Sequence, residues 1–166
     1  MVNEGLDSIT IIPSAVPQIE GSVEVIVKTG VSTANGFSWK ANTTGSYTTQ
    51  STSDYIYAND GLYKTNSTHS ANSNQGWNDS NGCRIGWSGG GSDYENAFEI
   101  TFIEPQSTTE YKNAFFTQTG WDGSGTLISM TGGGSWRSKT AMTGVHFYAY
   151  SGNMWANNFI IYGIKS

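Results

Sequence analysis

Residues 141 to 164 constrain the fold more than any other stretch of this chain. Within them Phe159-Ile160-Ile161-Tyr162-Gly163-Ile164 is apolar at both odd and even positions. Successive side chains of a β-strand point to opposite faces, so such a strand presents two apolar faces. A strand of that kind is expected to be slotted between neighbours rather than left at a wet edge. The run before it alternates, with Val145, Phe147 and Ala149 on one face and His146, Tyr148 and Tyr150 on the other. Between the two runs, Ser151-Gly152-Asn153 supplies residues that tolerate positive φ, as a tight reversal requires. These features predict the closing strands of a β-sandwich.

Upstream, the chain reads as short strands punctuated by turn residues. Ile9-Thr10-Ile11-Ile12 is stopped by Pro13, and Val23 to Val27 alternates clearly. Residues 1–20 are expected to be either the first strand or an extended arm ordered on a neighbouring subunit, and residues 21–166 the sandwich domain. Gly36 to Lys40 forms another candidate strand. Residues 41 to 82 are polar, and a structureless loop of that length is unusual in a compact domain. Short strands are therefore expected at Ser46–Thr49, Tyr55–Tyr57 and Leu62–Lys64, with an exposed turn at Asn59-Asp60-Gly61. Cys83 to Trp87 follows, then Ala97 to Ile103, where Phe98, Ile100 and Phe102 face inward and Glu104-Pro105 ends the strand. Tyr111 to Thr119 and Leu127 to Met130 are two more, with turns at Gly120-Trp121-Asp122-Gly123 and Gly132-Gly133-Gly134. The whole predicts an all-β chain, a single β-sandwich of about 8–10 short antiparallel strands.

The closing stretch also carries a resemblance. Thr143-Gly144-Val145-His146-Phe147, then Ser151-Gly152-Asn153, then Phe159-Ile160-Ile161-Tyr162-Gly163-Ile164 resembles a pattern that closes virion proteins of tailed bacteriophages. Phe98 to Pro105 and Gly132-Gly133-Gly134 occupy the places of that pattern's upstream strand and Gly-rich segment. Asn157 stands where the family has Gly, a mild departure because Asn also tolerates positive φ. The match covers Phe98 to Ile164. It implies a jelly-roll-like sandwich and a place on the virion, without saying where.

Composition narrows the function classes. Charged residues make up 13% of the 166 residues, against roughly 25% in ordinary domains. The formal net charge is −5 and the eight Lys and Arg residues are scattered, so a nucleic-acid surface, which needs clustered positive charge, is not expected. No apolar run approaches the roughly 18 residues that cross a bilayer, and Met1-Val2-Asn3-Glu4 has no basic n-region of a signal peptide. The single Cys83 lies on an apolar strand and is expected to behave as a small hydrophobe. Three Asn-x-Ser/Thr sequons, at Asn42, Asn66 and Asn78, are expected to be accidental.

No constellation for catalysis stands out. His69 and His146 are the only histidines, and neither lies in a hydrolase context. Glu95, Glu99, Glu104, Glu110 and Asp122 are available for glycoside chemistry, but sequence pairs none of them. No zinc or EF-hand motif occurs, although Asn78-Asp79-Ser80-Asn81 and Asp122-Gly123-Ser124 offer oxygens to Ca²⁺. The expectation is no enzyme, no cofactor and no metal.

Aromatic residues are the remaining signal, at 13% of the chain. Trp77, Trp121, Trp136 and Trp155 fall in or near predicted loops, where they either plug the sandwich ends or contact a protein or glycan. The chain carries neither a fibre shaft nor a coiled coil. Combined with the virion role that the resemblance implies, this makes the expected function a decoration or cement protein on the outer surface of the head. It would dock on the major capsid protein and stabilise the shell through protein–protein contacts, with Ile9, Ile11 and Ile12 on a docking arm. It is expected to form a homo-oligomer, a trimer by preference, at the capsid surface after assembly in the host cytoplasm. The alternative is a receptor- or glycan-binding domain of a tail or capsid fibre, which predicts that the loop tryptophans cluster at one end and bind a host surface glycan.

Overall fold

The computed structural model describes residues 8–11, 21–31, 37–43, 53–64, 69–86, 96–121, 125–149 and 154–165. They hold the strands β1 (Ser8–Ile11), β2 (Gly21–Val31), β3 (Phe37–Asn42), β4 (Tyr55–Lys64), β5 (His69–Asp79) and β6 (Cys83–Gly86). The later strands are β7 (Asn96–Ile103), β8 (Lys112–Trp121), β9 (Leu127–Trp136), β10 (Gly144–Ala149) and β11 (Met154–Lys165). No helix occurs among the described residues. All pairings are antiparallel, in a narrow sheet ordered β1-β10-β3-β6 and a wide sheet ordered β11-β2-β7-β8-β9-β4-β5.

That order follows the jelly-roll scheme of two Greek keys. An eight-stranded jelly roll interleaves its first, last, third and sixth strands in one sheet and its second, seventh, fourth and fifth in the other. Collapsing the meander β7-β8-β9 to one strand position, and setting β11 aside at the edge, converts the observed orders into that scheme.

The alternation that defines the strands also builds the core. Along β8, Lys112, Ala114, Phe116, Gln118 and Gly120 are buried while the intervening residues are exposed. On β7, Phe98, Ile100 and Phe102 point inward at 1% exposure or less. Phe37 of the narrow sheet stacks on Phe98 of the wide sheet at 4.7 Å and on Phe147 at 5.6 Å. Trp39 meets Phe102 edge-on at 5.0 Å and Tyr55 at 5.8 Å. Such pairs add about 0.5–1.5 kcal/mol each beyond the area they bury. Tyr55 keeps its hydroxyl satisfied by accepting from the Ala41 amide at 3.0 Å.

Polar side chains close the two ends of the wide sheet's inner face. At one end Lys112, 1% exposed, donates from Nζ to the carbonyls of Ser107 (2.5 Å), Glu110 (2.8 Å) and Ser138 (3.3 Å). Burial pulls the pKa of its ammonium below the usual lysine value. At the other end the Gln118 amide donates to Asn96 Oδ1 at 3.2 Å.

Four sequence expectations are corrected. Gly132-Gly133-Gly134 is not a turn but the middle of β9. A Cβ at position 132 would sit 2.5 Å from the Ala58 carbonyl and 2.6 Å from Asn59 Cβ, and one at 134 would sit 2.7 Å from Cys83 Sγ. Close approach, not positive φ, is why these positions are glycine. Asn59-Asp60-Gly61 is likewise no turn, because β4 runs unbroken from Tyr55 to Lys64 between β9 and β5. Asn59 turns inward there and donates from Nδ2 to the Arg84 carbonyl at 3.3 Å. His69 opens β5, a strand the polar sequence concealed, where it faces Lys64 in register. Finally, β11 is not slotted between neighbours; among the described residues it pairs with β2 alone and forms an edge of the wide sheet. The other side of β2 is already taken by β7.

The expected strand at Ser46–Thr49, and Trp87, lie outside the described residues. Asn42 is fully buried, so its sequon is not a glycan acceptor in the folded chain.

Candidate functional site

The tryptophans separate into different environments. Trp136 is 2% exposed and stacks on Tyr55 at 6.3 Å on the inner face of the wide sheet. It is a core residue and no interface or glycan contact, because the strand β9 runs on past the glycines and turns it inward. Trp77 lies on the edge strand β5, where Trp77 and Asn78 form a bulge opposite Ile56. Bulges re-aim side chains, and this one leaves Trp77 71% exposed. The Arg137 guanidinium stacks over its ring at 5.4 Å. Arg137 is itself fixed, its Nη2 donating to the Ser53 carbonyl at 3.3 Å and its backbone amide to that of Asp54 at 3.0 Å.

Trp121, 45% exposed, ends β8 and faces Leu127 in register. Trp77 sits level with Asn113 near the start of β8 and Trp121 at its end, eight residues away, or about 27 Å at 3.4 Å per residue. The expected clustering of tryptophans at one end is therefore not found. Trp155 lies in β11, in register with Gly30. Ile9 and Ile11 lie in β1, paired with Phe147 and Val145 of the same chain, and Ile12 falls outside the described residues.

A groove of about 740 Å³ lies on the outer face of the wide sheet. Register assembles it from residues far apart in sequence. One row crosses four strands as Asp60, Thr131, Thr117 and Glu99, and the next as Leu62, Ser129, Thr119 and Ala97. All eight side chains are exposed. From Ala71 on β5 to Glu99 on β7 the groove spans four strand spacings, about 19 Å. Phe115 and Trp121, two residues beyond Thr117 and Thr119 on the same face of β8, stand on its two banks. Phe115 is 54% exposed, has Gly133 beside it on β9 and faces Thr101, which is 7% exposed.

The accessible lining is mainly apolar, with hydrogen-bonding groups set into it. Four hydroxyls, of Thr117, Thr119, Ser129 and Thr131, each able to donate and accept, floor the groove. Asp60 and Glu99 bring acceptor oxygens to its two sides. Their Cα atoms are three strand spacings apart, about 14 Å.

Cys83 is 1% exposed, donates weakly to the carbonyls of Ile56 (3.4 Å) and Ser135 (3.7 Å), and has its pKa pushed well up by burial. His146 faces Lys40 across β10 and β3 and meets Tyr148 edge-on at 5.5 Å. Burial, and then the Lys40 charge, hold its pKa below the usual histidine value. Asp79 Oδ1 accepts from the Asn81 amide at 2.6 Å, an ordinary turn interaction within the candidate calcium stretch. Asp122-Gly123-Ser124 lies outside the described residues. Among the described residues no group of three or more His, Cys, Asp or Glu side chains is placed to hold a metal ion.

Sequence reasoning offered Glu99 only as one of five unpaired carboxylates, placed Asp60 in a turn, and did not single out Thr117 or Thr131. Period-two alternation places Thr117 and Thr119 outward once Phe116 is assigned to the core, but only strand register joins them to Asp60. No family model, no curated protein and no solved structure matches this chain.

Proposed function

We propose that this chain is a surface protein of a tailed-bacteriophage virion, a decoration or cement protein that docks on the major capsid protein. The phage-like closing pattern from Thr143 to Ile164 suggests the virion. The observation that supports docking is Trp77, 71% exposed and held by Arg137. Trp and Arg are the residue types that most often dominate protein interfaces, and an anchored pair loses little conformational entropy on binding. Tyr111, 49% exposed, precedes the buried Lys112 at the same end of the wide sheet and extends that surface. Burying such apolar area yields about 25 cal/mol per Å² before ordering costs. Many copies, assembled as trimers at local symmetry axes, would together brace a pressurised shell. The test is to add purified protein to heads assembled without it. Binding is expected, with Trp77→Ala weakening it at least tenfold and leaving the melting temperature unchanged; heads that bind neither form overturn the reading.

A second reading, a glycan-binding domain of a tail or capsid fibre, is favoured by the groove on the wide sheet. It predicts loss of cell adsorption, without loss of particle stability, when the groove is blocked.

A further inference from the structure

We infer that the groove across β4, β9, β8 and β7 binds an oligosaccharide lacking acidic groups, with the sugar chain lying across the strands between Phe115 and Trp121. The inference rests on the glycan-binding reading and adds the ligand class, the residues and the direction in which the chain lies. It is independent of where the protein sits on a virion.

The groove's shape comes first. At about 19 Å long and two residue rows wide it is a trough, suited to a few linked sugar rings rather than to a compact metabolite. Its floor is the second argument. Thr117, Thr119, Ser129 and Thr131 present a regular grid of small hydroxyls, and among the described residues none of these hydroxyls is engaged in a side-chain hydrogen bond. A grid of donors and acceptors with no charge of its own matches a ligand studded with hydroxyls.

The apolar parts match the other half of a sugar's chemistry. Leu62, 60% exposed, and Ala97 meet the C–H faces of a ring without competing for its polar groups. Phe115 and Trp121 offer ring faces on the banks.

Charge sets the class. Among the described residues, Asp60 and Glu99 are the only ionisable ones lining the groove, one near each side, on a chain of net charge −5. A sialic acid or uronate carboxylate would enter against both, with no cation among the described residues that line the groove to receive it. Neutral sugars instead donate hydroxyl protons to these carboxylates, and an amino sugar adds an ammonium. Hydrogen bonds to charged acceptors are about twice as strong as neutral ones, so the two carboxylates add directional affinity as well as exclusion.

The test is an array of neutral, amine-bearing and acidic oligosaccharides, read by direct binding of the whole chain. Neutral or amine-bearing members are expected to bind. Thr117→Val combined with Thr131→Val is expected to weaken that binding at least tenfold, because it keeps shape and removes hydroxyls. Asp60→Asn with Glu99→Gln should admit acidic members that the natural chain rejects. All four positions are exposed on regular strands, so unchanged melting temperatures confirm folded variants. Binding confined to acidic members overturns the ligand class and leaves a glycan-binding protein. Binding that survives Thr117→Trp, which fills the trough, overturns the site. Binding to no member overturns both this inference and the glycan-binding reading.

Discussion

Gly132, Gly133 and Gly134 allow the fold to be tested one residue at a time. Replacing Gly132 by Ala would put a Cβ 2.5 Å from the Ala58 carbonyl oxygen, 2.6 Å from Asn59 Cβ and 2.8 Å from Asn59 Cα. Two of those three atoms are backbone of β4, hydrogen-bonded in the sheet, so the clash is relieved only by moving a strand. Overpacking of this kind costs typically 1–3 kcal/mol, and a contact against backbone belongs at the top of that range, about 3 kcal/mol. At about 2–4 °C per kcal/mol for a chain of this size, the melting temperature should fall by roughly 6–12 °C. Gly133 is next in the chain but faces outward, where its nearest neighbour is the Ala114 carbonyl at 3.2 Å. Ala there needs a shift of a few tenths of an ångström and restricts the unfolded chain, so the two effects offset within about 1 kcal/mol. Gly134→Ala would press on Cys83 Sγ at 2.7 Å and Cys83 Cβ at 2.9 Å, giving a cost between the other two. The assay is reversible denaturation of the three single variants. A large–small–intermediate order is expected. Equal, small effects at all three positions would mean that the glycines form a turn after all, and would refute the strand.

Lys112→Met should cost about 2–3 kcal/mol in the same assay, since the carbonyls of Ser107, Glu110 and Ser138 lose their donor in a buried corner; a neutral or stabilising result would show that water replaces it. His146 gives a pH signature. Its folded pKa lies below the unfolded value of about 6.5, so the unfolded chain binds the proton first. Its contribution is complete above that pH and is lost as pH falls through the window below it. Melting temperature should therefore drop on acidification below about 6.5, and the drop should shrink in His146→Gln; an unchanged slope would assign the effect to other groups. Cys83, with its thiol pKa pushed up and its sulfur enclosed, should react with a thiol reagent only as fast as the protein unfolds. Labelling much faster than unfolding would contradict its burial.

The parts of the fold that are legible in the sequence are those where alternation is strict. β7 reads directly, with Phe98, Ile100 and Phe102 inward and Glu99 outward, and Glu104-Pro105 ends it as expected. β4 and β5 were hidden because Asn, Asp, Gly and Ser are turn residues by local preference. They stay extended because Asn59 and Gly61 find inner-face places opposite Gly132 and Met130. In both β4 and β9, tertiary context overrode local propensity. The position of β11 was misjudged for a different reason: two apolar faces argue for burial, but topology decides which edge is still open. The groove was illegible because it belongs to register. Asp60, Thr131, Thr117 and Glu99 share no local pattern, and become one row only when β4, β9, β8 and β7 are laid side by side.

The proposed head-decoration role is tested most directly by immunogold labelling of intact phage particles in the electron microscope. Gold distributed over the head is the predicted result and would direct attention to shell stability and the Trp77–Arg137 surface. Gold confined to the tail tip would contradict head decoration in favour of adsorption through a fibre, and particles that carry no gold would contradict a virion role altogether.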